Sequence, residues 1–403
     1  MLLALRLIAV VAVGCGGVIL VMTLRSSLAW RILRMGMLAL VYLTVSVLVA
    51  SRFVDVWGFR QDHAEYGLMR LIDGTAHRPY VYRRLSPDIV DAAARAVHRF
   101  ILDGDPQQRQ ALRQFLLTDS PLTNKMATQE KWDVEKSLRI HVAYVYVVLS
   151  LLAVLILARA LLTSCIRASQ AFYDYAPVAA ELLLPLTFWR GGYIYDFAEL
   201  AFLLAALLAL LHDKVWLYLV VFIIAITNKE SNLLLLVYFI AVGWNRLTWR
   251  RFVLFAGAQV VVGVAIYAAI RHKYLLNPGG SNEFWLSDNL DFWSHLSAYT
   301  SFRNLFDAVI PFPTATNVLI LFLAALAIFH GWGKRPAVLR RLFLLSAIVN
   351  VPLIVPFAYK DEVRNLSLTF PAVFLMGAWG IVEAYGALNE SGSRVPNDQL
   401  APP

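Results

Sequence analysis

Asp62 stands in the run Gln61-Asp62-His63, with Glu65 and Tyr66 just beyond it. A carboxylate held above a membrane plane can deprotonate an incoming hydroxyl, the task of a general base. The plainer reading is a helix cap, a common use of Asp. A second run, Arg78-Pro79-Tyr80-Val81-Tyr82-Arg83-Arg84, joins a rigid turn to two aromatics and two adjacent guanidiniums. Arginine binds phosphate bidentately and tyrosine makes amphipathic interfacial contacts. Arg83 and Arg84 therefore suit a lipid-linked phosphate headgroup, the alternative being a juxtamembrane belt on ordinary phospholipid.

The charges of Asn228-Lys229-Glu230-Ser231 fall between two short apolar stretches, at or near membrane depth. Charge there is expensive and is usually paired or functional. Lys229 is a candidate phosphate ligand that Glu230 would fix; a tight interfacial turn is the alternative. In Asp361-Glu362-Val363-Arg364, Arg364 is a further phosphate candidate that Asp361 and Glu362 would orient. Tyr195-Asp196 and Glu199 open a helix, where acids favour the positive end of the dipole, so they read as caps or as ligands. Glu181 lies inside an apolar run and needs an interior partner or a proton.

The elements that must position these groups are apolar helices. Of 403 residues, 59% are hydrophobic and only 16% charged, against about 25% charged in an ordinary soluble chain. That excludes disordered, collagen-like and disulfide-rich secreted classes. A helix needs about 20 mostly apolar residues to cross a bilayer. Runs of this kind occur near 2–24, 35–54, 139–162, 170–189, 196–211, 215–227, 231–245, 252–271, 316–333, 342–359 and 366–387. The expected fold is all-α: a polytopic bundle of about 11 spans. Residues 1–54 supply the first two spans, 55–138 a large non-cytoplasmic loop, and 139–387 the remaining bundle with an outer loop at 272–315. The tail 388–403, rich in Asn, Ser, Pro and Asp, reads as disordered and cytoplasmic.

Lys and Arg set the orientation. Arg25, Arg31 and Arg34 follow the first run, Arg159 and Arg167 the third, Arg246, Arg250 and Arg251 the seventh, and Lys334, Arg335, Arg340 and Arg341 the ninth. With eleven spans all four clusters share the cytoplasmic side, which puts the N-terminus outside and the C-terminus inside. The excess of basic residues, 36 against 27 acidic, is then an orientation signal; no basic stripe interleaved with aromatics argues for nucleic acid. The loop 55–136 holds twelve basic and twelve acidic residues. It also carries an amphipathic helix at 87–102, with Ile89, Ala93, Val97, Phe100 and Ile101 on one side, and a similar pattern at 106–117. These helices suit either the membrane interface or the protein's own outer surface. Cys15 and Cys165 fall at different depths, so no structural disulfide is expected. Gly14-Cys15-Gly16 lacks the third glycine of a dinucleotide fingerprint, and Gly331-Trp332-Gly333-Lys334 has Arg335 where a P-loop needs Ser or Thr.

An acidic residue in the first large outer loop, an amphipathic helix there and helices of uneven length resemble the GT-C superfamily of integral membrane glycosyltransferases. The stretch Asp62…Tyr66…Pro79-Tyr80-Val81-Tyr82-Arg83-Arg84-Leu85-Ser86-Pro87 is similar to a D…Y…P-[FY]-x-Y-R-x-L-x-P pattern of bacterial membrane proteins placed near that superfamily. Asn228-Lys229-Glu230-Ser231 and Glu362-Val363-Arg364-Asn365 look like further markers. The resemblance, over roughly 35–387, implies a polyprenyl-phosphate sugar donor, a glycan or lipid-linked acceptor, and transfer on the non-cytoplasmic face of a cell membrane, in a bacterium the inner one. Asp62 would be the catalytic base, Arg83, Arg84, Lys229 and Arg364 the donor-phosphate ligands, and Glu65, Tyr66, Tyr80, Tyr82, Asp196, Glu230, Asp361 and Glu362 their support. The sequence departs from the pattern in an additional span before the loop and in His63, where many members carry a second acid. A divalent cation on Asp62, Glu65 and Asp361 is compatible with this chemistry. A transporter or flippase of a lipid-linked glycan or small anion, or a polysaccharide polymerase or ligase, is the alternative.

Overall fold

The computed structural model describes residues 28–61, 63–102, 105–126, 132–244, 246–280, 282–304 and 311–390; Asp62 and the apolar run at 2–24 lie outside them. The regular structure of the described residues is helical apart from one short antiparallel pair, Phe302–Asn304 with Pro311–Pro313. The principal helices are α1 (Leu28–Trp57), α2 (Leu85–Leu102), α3 (Val134–Cys165), α4 (Gln170–Leu182), α5 (Ile194–Leu211) and α6 (Val215–Asn228). They are followed by α7 (Leu236–Gly243), α8 (Trp249–Lys273), α9 (Leu286–Ser294), α10 (Val318–Phe329), α11 (Ala337–Phe357) and α12 (Phe370–Glu390).

Six helical segments are long and apolar enough to cross a membrane: Trp30–Arg60, Val134–Cys165, Ile194–Leu211, Trp249–Lys273, Ala337–Phe357 and Val363–Tyr385. The chain is thus an all-α membrane protein, but with six such segments among the described residues where eleven apolar runs were read. Val215–Asn228, Glu230–Gly243 and Val318–Phe329 are shorter apolar helices. The run 170–189 breaks up: α4 stops at Leu182 and a 3₁₀ turn, Leu184–Leu186, follows at Pro185. Hydropathy records apolar side chains, whereas proline and the polar turn at Lys229 decide how far each helix continues.

Two large cores, with smaller clusters beside them, hold the described bundle. One packs α5, α6, α7 and α12 around Tyr218, Phe222, Tyr238, Phe239 and Leu375; the other packs α1 and α3 around Phe53, Val147 and Leu151. Successive helices bring alternate ends to one face. Trp57 at the end of α1, Ile194 at the start of α5 and Asn228 at the end of α6 meet there, as the contacts below show. The basic clusters sit at the opposite helix ends. Arg34 and Arg159 both hold the fully buried Asp174, at 2.5 and 2.8 Å, and Arg246 reaches Asp213 at 3.2 Å. Arg34 and Trp57 are 23 residues apart on one helix, about 35 Å at 1.5 Å per residue.

The loop after α1 is built on α3. Ser86 Oγ and Tyr146 Oη share a hydrogen bond of 2.8 Å, and Arg139 reaches Asp73 and Asp91. α2 turns Ser86, Val90 and Ala94 inward, whereas Ile89, Val97 and Phe100 stay exposed, Phe100 at 82%. The expected apolar side therefore does not pack on the protein. Small residues on the neighbouring face allow the closer approach to α3, which leaves the larger apolar ones outward.

Candidate functional site

A layer of charged side chains is buried where the start of α5, the end of α6 and the 3₁₀ segment Val363–Thr369 ahead of α12 meet. Asp196 opens α5 and accepts from Tyr193 N at 3.0 Å, closing the helix start as a cap. Its two oxygens also take Lys229 Nζ at 3.0 Å and Arg364 Nη1 at 2.8 Å. One turn on, Glu199 accepts from Lys229 at 2.6 Å, Ser231 Oγ at 2.6 Å and Ser367 Oγ at 2.9 Å. The two readings of Asp196, cap and ligand, thus coincide in one side chain.

All four residues of the 228–231 turn are engaged. Asn228 accepts from Ser86 at 2.5 Å and donates to the Tyr195 carbonyl at 2.9 Å. Lys229 bridges Asp196 and Glu199, and Ser231 adds its bond to Glu199. Glu230 receives Arg83 Nη2 at 2.5 Å and Nε at 3.0 Å, and Arg83 Nη1 donates to Tyr195 Oη. Burial alone would lower the Arg83 pKa, but the Glu230 carboxylate outweighs it and holds the guanidinium charged well above its ordinary value. Lys229 and Arg83, read from sequence as phosphate ligands, are matched by carboxylates and tie the α6–α7 turn to α5 and to the start of α2. Arg84 points elsewhere, to the Leu71 and Ile72 carbonyls and Asp88, where it closes the short helix Leu68–Ile72.

Arg364, 9% exposed, is also held by Glu362 at 3.3 Å, and Glu362 in turn accepts from Asn365 at 3.1 Å. Asp361 instead pairs with Arg190. Tyr66, Tyr80 and Tyr193 form an aromatic wall with ring centroids 4.8–5.8 Å apart, and His63 stacks on Tyr66 at 4.5 Å. Burial raises the pKa of each of these phenols, that of Tyr193 to about 12, so they remain hydrogen-bond donors at neutral pH. Tyr80 donates to Glu283 at 2.6 Å. Tyr82 packs edge-on against Tyr267, and Glu65 is exposed. Asp62 falls outside the described residues, although its neighbours Gln61 and His63 belong to the turn that follows α1. Among the described residues no three His, Cys, Asp or Glu side chains come together as a metal-binding group.

The residue that sequence reading missed is Arg60. Gly58, Phe59 and Arg60 take φ of 50, 56 and 55° in succession, a left-handed turn costing about 1–2 kcal/mol per non-glycine residue. Strain of this kind collects at functional sites. The turn folds Arg60 back over Trp57 at 4.3 Å, Tyr193 at 4.9 Å and Tyr66 at 5.2 Å. Its guanidinium donates to Tyr66 Oη and the Arg190 carbonyl, and makes no ion pair among the described residues. Arg364 lies 4.9 Å from the same Tyr193 ring. A β-carbon added to Gly191 would fall 2.3 Å from Arg60 Nη2, 3.1 Å from Glu362 Oε1 and 3.4 Å from Arg364 Nη2, so Arg60 and the Glu362–Arg364 pair converge on bare backbone there. The only sequence trace of this is the Arg190-Gly191-Gly192 run.

No protein-family model, curated protein or solved structure matches the chain. Fold and site together define an all-α membrane protein with a braced ionic layer at one end of its helices and an arginine pair beside it.

Proposed function

We propose that this protein is a membrane glycosyltransferase that moves a sugar from a polyprenyl-phosphate-linked donor to an acceptor on the non-cytoplasmic face. The observation that carries the reading is the Arg60–Arg364 pair on Tyr193, next to the turn that leads into the loop of Asp62. Paired guanidiniums stabilise the charge that develops on a phosphate leaving group, and Asp62 takes the proton of the attacking acceptor hydroxyl. Arg60, with no ion pair among the described residues, offers the guanidinium for the phosphate; Arg364, held by Asp196 and Glu362, stands beside it, and Lys229, Arg83 and Glu230 brace the layer. The resemblance to GT-C enzymes supports the same reading, as do basic clusters at the far helix ends, which suit a cytoplasmic face.

Purified protein in vesicles should transfer radiolabelled sugar from a polyprenyl-phosphate donor to a glycan or lipid-linked acceptor. Movement of the donor across the bilayer without turnover would instead establish a transporter. Gly191→Ala should displace Arg60 and reduce transfer by about 10²-fold, the cost of a misplaced binding group. Because the clash is with a side-chain terminus, thermal unfolding should stay near wild type. Unaltered transfer by this variant would remove Arg60 from the site.

A further inference from the structure

A cleft adjoins the segment 187–191, whose Arg190 carbonyl accepts from Arg60. Trp189, Arg303, Thr314, Ala315 and Asp361 stand in its walls. Arg303 comes from the short strand Phe302–Asn304. Successive strand residues point to opposite sides, and here Phe302 and Asn304 are exposed while Arg303 is half-buried. The strand is tied to α1, where Arg52 Nη2 donates to the Asn304 carbonyl at 3.0 Å. Thr314 Oγ1 donates to the Ser301 carbonyl at 3.3 Å and fixes the facing wall.

Arg303 lies over the Trp189 ring, 4.8 Å from its centroid, and makes neither a hydrogen bond nor an ion pair among the described residues. A guanidinium held by an aromatic face uses none of its N–H donors on that contact. The surrounding charge does not neutralise it. Asp361 is paired with Arg190, so at the cleft two guanidiniums stand against one carboxylate. Burial, then the Arg190 charge, lowers the Arg303 pKa, and Asp361 offsets part of that. Charge taken out of water is ordinarily paired, and this cleft is short of one anion.

We infer that Arg303 binds a carboxylate of the acceptor, which makes the acceptor a uronate-bearing glycan. The inference rests on the transferase reading for the saccharide; the cleft supplies the charge. At about 10 Å³ it has room for about one water-sized group, which admits a carboxylate oxygen and leaves the sugar ring outside. The planar edge of a guanidinium matches a planar carboxylate through two parallel hydrogen bonds. Trp189 and Gly191 are two residues apart, at most about 7 Å of chain. A sugar anchored at Arg303 therefore lies alongside the Arg60–Arg364 pair, and an anchor beside the reacting group orients the acceptor hydroxyl.

The test is calorimetric titration of the full chain, in phosphatidylcholine nanodiscs, with trigalacturonate and with its methyl ester, which lacks the charge. Wild type should bind the acid about tenfold tighter or more, the scale of a charge-assisted hydrogen bond. Arg303→Gln removes that bond and should bring the two affinities to within about twofold. Ala315→Glu leaves Arg303 in place, adds an acid to the cleft wall and should have the same effect. Equal affinity of wild type for the two ligands overturns the inference, as does selectivity that survives either substitution. Displacement of trigalacturonate by an equal concentration of geranyl phosphate overturns it too, since the cleft would then be a phosphate site. Charge-selective binding without sugar transfer would uphold the anion site and remove the transferase reading. Sugar transfer with equal affinity for acid and ester would leave that reading standing without this site.

Discussion

Asp62→Asn is expected to lower sugar transfer by about 10²–10⁴-fold, the usual contribution of a positioned general base, while donor affinity stays within a few-fold of wild type. Asparagine keeps the size of the side chain and loses only the basic oxygen, so a loss confined to turnover separates proton transfer from binding. The left-handed turn at Gly58–Arg60 precedes Asp62 in the chain, and His63, which follows it, stacks on Tyr66 beside Arg60. The measurement is single-turnover transfer from a labelled donor, with donor binding followed in parallel. Transfer that survives the substitution would remove Asp62 as the base and move attention to the remaining carboxylates.

The second large effect is on stability. Lys229→Met should destabilise the protein by about 3–5 kcal/mol, the cost of leaving buried carboxylates without their counter-ion. Lys229 is 4% exposed, and its ammonium alone joins Asp196 to Glu199. Arg364 would still hold Asp196, but Glu199 would keep only the hydroxyls of Ser231 and Ser367. Adding Glu199→Gln to Lys229→Met should therefore recover a substantial part of the loss, because the pair is then removed together. Denaturant unfolding in detergent micelles reads both variants. A Lys229→Met protein as stable as wild type would mean that the layer is hydrated and that Lys229 is available to a ligand after all.

Much of the site was legible from residue type and spacing. Lys229 and Glu230 were singled out as charges near membrane depth, Arg83 and Arg364 as phosphate candidates, Asp196 as a cap or ligand and Glu362 as a support of Arg364, and the fold brings all six into one layer. Their partners were not legible. Lys229 meets Asp196 and Glu199 across about 30 residues, and Arg364 meets Asp196 across 168; such pairings are set by helix packing and leave no local pattern. The same limit applies to Arg84, adjacent to Arg83 in the chain yet turned to the Leu71 carbonyl. Arg60 escaped notice because its importance comes from backbone conformation. Nothing in Gly58-Phe59-Arg60 announces three successive left-handed residues, and the opposing gap at Gly191 is 131 residues on from Arg60.

The sequence by itself determined that this is a helical membrane protein, because its apolar runs are about as long as a bilayer-spanning helix, which satisfies its backbone in lipid through internal hydrogen bonds. It also determined that the few buried charges must be matched. Tertiary structure decided which apolar runs extend to full helices, since proline and the polar turn at Lys229 interrupt α4 and the α6–α7 pair. It decided as well that Lys229 and Arg83 are braces and that Arg60 and Arg364 converge, because ion pairing is governed by distance in space, which the order of residues does not specify.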